Sequence, residues 1–252
     1  MSAGSFFDLD TDEPILIAKD SKLENLRFLG KLVLSYSKDK EDIFRRFPNL
    51  QELSFVLKES WDYSTKQYWF PKLDHLTELK LLDVEFQSLI SNDCGPSVAT
   101  NWSWDFHLPS SLTKLMLCDF RVTSDSLSTI VRLPNLEELF LIRTIMLGKE
   151  WNIGEEDTFV NLKYLDLEEV TLAKWEFGEE SFPMLEKLAL WDCHMLEEIP
   201  PSFGDISSLK IIQLVESPQL EDSMLKIKEY VEEMTGEDNL QIIGPNNILL
   251  FK

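Results

Sequence analysis

Eight times along this chain, leucine or an apolar substitute falls at the spacing L-x-x-L-x-L. The copies are Leu29, Leu32 and Leu34; Leu50, Leu53 and Phe55; Leu76, Leu79 and Leu81; and Leu112, Leu115 and Leu117. Then follow Leu136, Leu139 and Leu141; Leu162, Leu165 and Leu167; Leu185, Leu188 and Leu190; and Leu209, Ile212 and Leu214. A helix buries one face with steps of three and four, and a half-buried strand with steps of two. A step of three followed by a step of two fits neither, so the unit is a short strand preceded by an apolar residue on its approach. The last residues of successive copies are 21, 26, 36, 24, 26, 23 and 24 positions apart. No such unit can bury its own apolar side; neighbours must stack to cover it.

A period of about 20–29 residues with this motif is that of leucine-rich repeats. The expected fold is therefore an α/β repeat solenoid: a leucine-rich-repeat horseshoe with a parallel concave sheet and an irregular convex side. The convex side is marked in "LWDCHMLEEIPP", where Cys193 tucks into the turn, Leu196 and Ile199 fill the core, and Pro200 stops regular continuation. "FPNL", "FPKL", "LPNL" and "FPML" use proline to hold the preceding residue extended at the entry to a repeat. The array reads as a single domain over 1–252, with repeats over about 23–219. The long step is read as an insertion loop over about 88–107, containing Gly95-Pro96 and ending near Trp102 and Trp104, with a degenerate repeat as the other reading. At the end, Met224, Ile227, Val231 and Met234 mark one face of a helix, Gly236 its stop, and Leu240, Ile242 and Ile243 a closing strand. That helix and strand make a C-terminal cap over about 220–245. No matching cap opens the chain, so it is expected to be part of something longer.

Charge and cysteine narrow the function. Forty-five acids against 24 bases give a formal charge of -21, which disfavours nucleic acid and anionic membrane as partners. No apolar run reaches the length of a membrane span, so no membrane insertion is expected. Cys94, Cys118 and Cys193 are scattered and unpaired in sequence, fitting a reducing, cytoplasmic setting. Three scattered histidines offer no metal spacing. Asp192-Cys193-His194 has the residue types of a catalytic cluster, but consecutive residues on one turn cannot converge on one atom, and the thiol lies in acidic surroundings. No catalytic residue, cofactor or metal ligand is assigned, and the chain is not expected to be an enzyme.

What remains is a surface. Residues alternating with the strand leucines face the concave side. The candidates there are Lys114, Met116, Phe140, Ile142, Tyr164, Asp166, Glu168, Lys187 and Trp191, with Trp191 the best single anchor; the same register puts Leu82 on that face. Residues 151–200 hold 13 acids and three lysines. Glu155, Glu156, Asp157, Glu169, Glu179 and Glu180 are read as an acidic rim suited to a basic protein partner. A general leucine-rich-repeat scaffold, or a ligase substrate-receptor subunit, is the alternative; no F-box is visible to favour the latter.

"RRFPNLQEL", "RLPNLEELFL", "SFPMLEKLALWDCHMLEEIPPSFGDISSLKIIQL" and "SPQLEDSMLKIKEYVEEMTGEDNLQIIG" resemble the C-terminal leucine-rich-repeat domain of plant intracellular immune receptors of the coiled-coil, nucleotide-binding class. The branch resembled is that of late-blight-resistance and helper receptors. The chain has no G-x-x-x-x-G-K-[ST] phosphate loop. The resemblance implies a non-catalytic interaction domain that contributes to recognition and autoinhibition in defence. Its implied partners are the receptor's own nucleotide-binding module, a pathogen effector or a host protein.

Overall fold

The structure is a computed structural model; it describes residues 7–8, 22–35, 43–59, 61–62, 67–88, 104–154 and 156–244. The L-x-L segments become strands of one sheet. Its ten strands are β1 (Phe7–Asp8), β2 (Phe28–Leu34), β3 (Glu52–Lys58), β4 (Leu81–Gln87), β5 (Lys114–Cys118), β6 (Glu138–Ile142), β7 (Tyr164–Glu168), β8 (Lys187–Trp191), β9 (Ile211–Val215) and β10 (Gln241–Ile243). They lie side by side in chain order, and every pair is parallel. Parallel neighbours need a crossover, and the described crossover segments run behind the sheet. There stand two short parallel pairs, Arg121–Val122 with Ile145–Met146 and Glu150–Asn152 with Lys174–Glu176. The helix α1 (Ser124–Val131) and the 3-10 turns Ile43–Arg46, Pro201–Asp205 and Pro218–Leu220 complete that side.

Register fixes the core. Leu53, Leu82, Leu115, Leu139, Leu165, Leu188 and Ile212 stand in one row across the strands, and Phe55, Val84, Leu117, Leu141, Leu167, Leu190 and Leu214 in the next. All of them are buried. The approach leucines Leu50, Leu79, Leu112, Leu136, Leu162, Leu185 and Leu209 are buried beside them. Aromatic rings fill the far side: Trp151 stacks on Trp175 at 5.4 Å and 4°, and Phe203 meets Trp175 edge-on at 4.9 Å. Each turn also ties to its neighbour. Asn49, Asn135 and Asn161 donate from Nδ2 to the carbonyls of Glu24, Ser110 and Pro134, at 2.9, 2.8 and 2.6 Å.

Two copies of the motif need correction. The row containing Leu53 and Leu115 passes through Leu82, not Leu79. The third copy is therefore Leu79, Leu82 and Val84, and Leu82 is fully buried rather than on the open face. "LDHLTELKLLDV" holds two overlapping matches, and the one whose strand continues into Val84 and Phe86 buries more. In β2 an irregularity between Leu29 and Leu32 slips the register, so Leu29 pairs with Leu53 and Leu32 with Phe55; Lys31 lies there with φ 61. Residues 89–103, including Trp102, lie outside the described residues. Trp104, at the end of that segment, is core: its ring is 5.2 Å from Phe86 and 5.0 Å from Phe120.

The last unit is the helix α2 (Glu221–Thr235) followed by β10. Met224 and Ile227 are buried, Val231 is half-buried, and Met234 is 69% exposed. Gly236, at φ 74, ends the helix in the left-handed conformation that only glycine adopts without strain.

Candidate functional site

The solvent-side face of β5 to β9 is read directly from the register. Lys114, Glu138, Tyr164, Lys187 and Ile211 form one row; Met116, Phe140, Asp166, Ala189 and Gln213 the next; Cys118, Ile142, Glu168, Trp191 and Val215 the third. The nine residues expected on this face stand together in a contiguous block. Eight are half-buried, and Asp166, at the centre of the block, is 9% exposed.

The block is cross-linked by polar and aromatic contacts. Lys114 pairs with Glu138 at 2.8 Å and stands 4.5 Å over the Phe140 ring. Phe140 meets Tyr164 edge-on at 5.2 Å. The Tyr164 hydroxyl donates to Asp166 Oδ2 at 2.6 Å, and Lys187 stands 4.9 Å over the Tyr164 ring. Asp166 Oδ1 and Trp191 Nε1 are buried with no hydrogen-bond partner among the described residues. Burial raises the Asp166 carboxyl from 3.8 to about 6; the Tyr164 hydrogen bond opposes this, Glu168 adds to it, and Lys187 opposes it. The described residues thus leave part of the hydrogen-bonding capacity of this buried carboxylate unused.

The acidic residues do not form one rim. Glu169 follows β7 directly with φ 50, and its N–H donates to Trp191 O at 2.8 Å. Asp119, Arg143, Asp192 and Glu216 occupy the same position after β5, β6, β8 and β9, at φ 64, 46, 50 and 51. They form a charged row past the strand ends. Arg143 pairs with Asp119 through two hydrogen bonds of 2.8 and 2.7 Å; that pairing raises the guanidinium's pKa, and Glu169 adds to the rise. Glu156, Glu179 and Glu180 are exposed in turns on the approach to the strands instead. Asp157 differs from its expected place on the rim: it is 8% exposed, and Arg132 Nε donates to it at 2.7 Å. Glu155 lies outside the described residues.

Sequence reasoning missed the left-handed row because nothing marks it but position. Five charged side chains, each two residues after the last strand leucine, were its only signal. The two cysteines among the described residues are poor nucleophiles, and Cys94 lies outside those residues. Cys193 is buried, its Sγ 3.3 Å from Leu167 O, and burial pushes the thiol up to about 11. Cys118 is pushed up to about 12, first by burial and then by Asp83. Among the described residues no group of acids, histidines and cysteines is placed to hold a metal. No helix there is long and apolar enough to cross a membrane.

No protein-family model matches the chain. Individual relatives do, among them plant disease-resistance receptors of the nucleotide-binding, leucine-rich-repeat type. Three of these are late blight resistance proteins or putative homologues of Solanum demissum. Late blight resistance protein R1-A is 32% identical over 229 residues, 90% of this chain and 16% of that protein. The putative homologue R1B-13 is 31% identical over 227 residues, 89% of this chain and 18% of its own length. The putative homologue R1B-16 is 30% identical over 229 residues, 90% of this chain and 16% of its own length. The chain thus matches these three proteins along nearly all of itself and spans less than a fifth of each.

Proposed function

We propose that this chain is a leucine-rich-repeat horseshoe serving as the non-catalytic, protein-binding part of a cytoplasmic plant immune receptor, contributing to recognition and autoinhibition in defence against pathogens. Its sheet is the concave face, the side with short strands and turns the convex one, and α2 with β10 the terminal cap. The observation that carries the reading is the central block on the sheet: Phe140, Tyr164 and Trp191 half-buried around Asp166, whose Oδ1 has no hydrogen-bond partner among the described residues. Resemblance to resistance proteins supports the setting. Parallel stacking supports the architecture. The partners this reading implies are the receptor's own nucleotide-binding module, a pathogen effector or a host protein.

The test is binding of the chain, in trans, to a fragment of a matching receptor that contains the nucleotide-binding module, across a salt series. Expected is an affinity that falls steeply with salt and with the double reversal Glu168→Lys and Glu169→Lys, because charges at an interface rim act through screened attraction. No binding at low salt by a chain that is folded by circular dichroism would overturn the autoinhibitory role.

A further inference from the structure

The cap carries a second surface, separate from the sheet face. Between the 3-10 turn Pro201–Asp205 and α2 lies a cavity of about 400 Å³, floored by Ile199, Pro201 and Ile227 and walled by Glu198, Asp205 and Tyr230. The wall is fixed by close packing. Tyr230 donates its hydroxyl to Asp205 Oδ1 at 2.7 Å. Its ring lies against Gly204 so closely that a Cβ there would come within 2.7 Å of Cδ1. Tyr230 is nevertheless 40% exposed, and Met234, one helical turn further along the same face, is 69% exposed. Cavity and exposed side chains make one apolar track.

The charge around this track is mostly negative, although Lys226 also lines the cavity. Residues 194–238 contain eleven acids and three lysines. Each lysine is already paired: Lys210 with Glu186, Lys226 with Asp222, and Lys228 with Glu232 and Asp238. Glu197, Glu198, Glu229 and Glu233 are exposed. None of these four appears in an ion pair among the described residues. An apolar floor selects an apolar group, and a rim with an excess of carboxylates, only partly balanced by Lys226, selects cations beside it while repelling nucleic acid and anionic lipid. The volume is at the low end of the range of ligand pockets, roughly 300–1,000 Å³, which suits one or two side chains.

We propose that this cavity docks a basic segment of a partner protein, inserting an aliphatic or aromatic side chain flanked by arginine or lysine. Tyr230 supplies a ring edge to the inserted group and Glu198 an acceptor to the flanking cation.

A random peptide display library selected against the intact chain tests this directly, followed by titration of the enriched peptide with the Ile199 and Ile227 methyl resonances as the readout. Expected is enrichment of an apolar residue with arginine or lysine within two positions, and saturable shifts of both methyls. Affinity should fall at least about tenfold in Glu198→Lys and in Ser202→Trp, which fills the mouth of the cavity. The reversal of Glu168 and Glu169 should leave it unchanged, which separates this site from the sheet face. Enrichment of neutral or acidic peptides, no enrichment, or full affinity retained by Glu198→Lys with unchanged circular dichroism would overturn the proposal. Glu198 is exposed, so this variant carries the test even if Ser202→Trp fails to fold.

Discussion

Asp166→Asn should make the protein more stable at neutral pH, and the gain should vanish in acid. Asparagine keeps the shape and still accepts the Tyr164 hydroxyl. It removes a charge that is held 9% exposed with one oxygen lacking a partner among the described residues. In the folded chain the carboxyl titrates near 6, first because of burial, against 3.8 ordinarily. The folded state therefore holds this proton more tightly than the unfolded chain does. Stability is full below 3.8 and falls as pH rises, until it levels off above 6. The gap between the two values, at ~1.4 kcal/mol per pH unit, amounts to an upper bound of ~3 kcal/mol. The assay is urea unfolding of both proteins at a series of pH values, compared by midpoint because repeat arrays can depart from two-state behaviour. The variant's midpoint should exceed the parent's at pH 7.5 and merge with it near pH 4. A variant less stable at pH 7.5, or a difference that does not change with pH, would refute the argument that burial penalises the charge.

Other perturbations test the frame around the site. Ser217→Ala removes the oxygen that accepts the buried Cys193 N–H at 3.0 Å; leaving that donor unsatisfied should cost about 1–3 kcal/mol, read as a lower urea midpoint. Trp151→Ala deletes one half of the stacked pair with Trp175, and the cavity should cost about 3–5 kcal/mol by the same assay. Glu216→Gly relieves a left-handed backbone at φ 51 and should raise the thermal midpoint, offsetting strain of roughly 1–2 kcal/mol against glycine's extra unfolded-state entropy; a clear fall would argue that the side chain does more than tolerate its position.

Strand identity was legible wherever the leucine spacing had one solution. From Leu112 to Leu214 every motif stands in its expected row, because a one-residue slip would expose the whole buried set. It was ambiguous in "LDHLTELKLLDV", where Leu76, Leu79, Leu81 and Leu82 satisfy the pattern twice, and only pairing with β3 and β5 selects Leu82. Face assignment was legible for the open block, since alternation alone puts Phe140 and Trp191 there. Burial within that face was not: Asp166, Ala189 and Gln213 are buried in the middle row, between rows that hold Tyr164, Lys187 and Trp191, and side-chain reach across a sheet has no sequence period. The rim was legible as charge but not as place. Glu169 lies past the strand ends and Glu179 on their approach, though both read as acids in a turn. Asp157 gave no sign of being covered, because its partner Arg132 is 25 residues away at the end of α1.

The left-handed row shows how one backbone requirement organises charge on this molecule. Each strand from β5 to β9 ends in a residue at positive φ, and at β5 to β8 its N–H reaches the last carbonyl of the following strand, at 2.9, 2.7, 2.8 and 2.9 Å. That bond keeps successive turns in step, so the conformation is fixed by stacking and recurs once per repeat. Glycine or asparagine would meet it at least strain. The chain instead carries Asp119, Arg143, Glu169, Asp192 and Glu216. Asp119 and Arg143 answer each other across adjacent strands, which gives those two a local reason. Glu169 faces the Arg143 charge without a close ion pair, and Glu216 has no ion pair among the described residues. A positive φ held by a charged residue points to a use for the charge, and the proposed interface supplies one: four acids in a row of five, interrupted at Arg143, that a basic partner can meet.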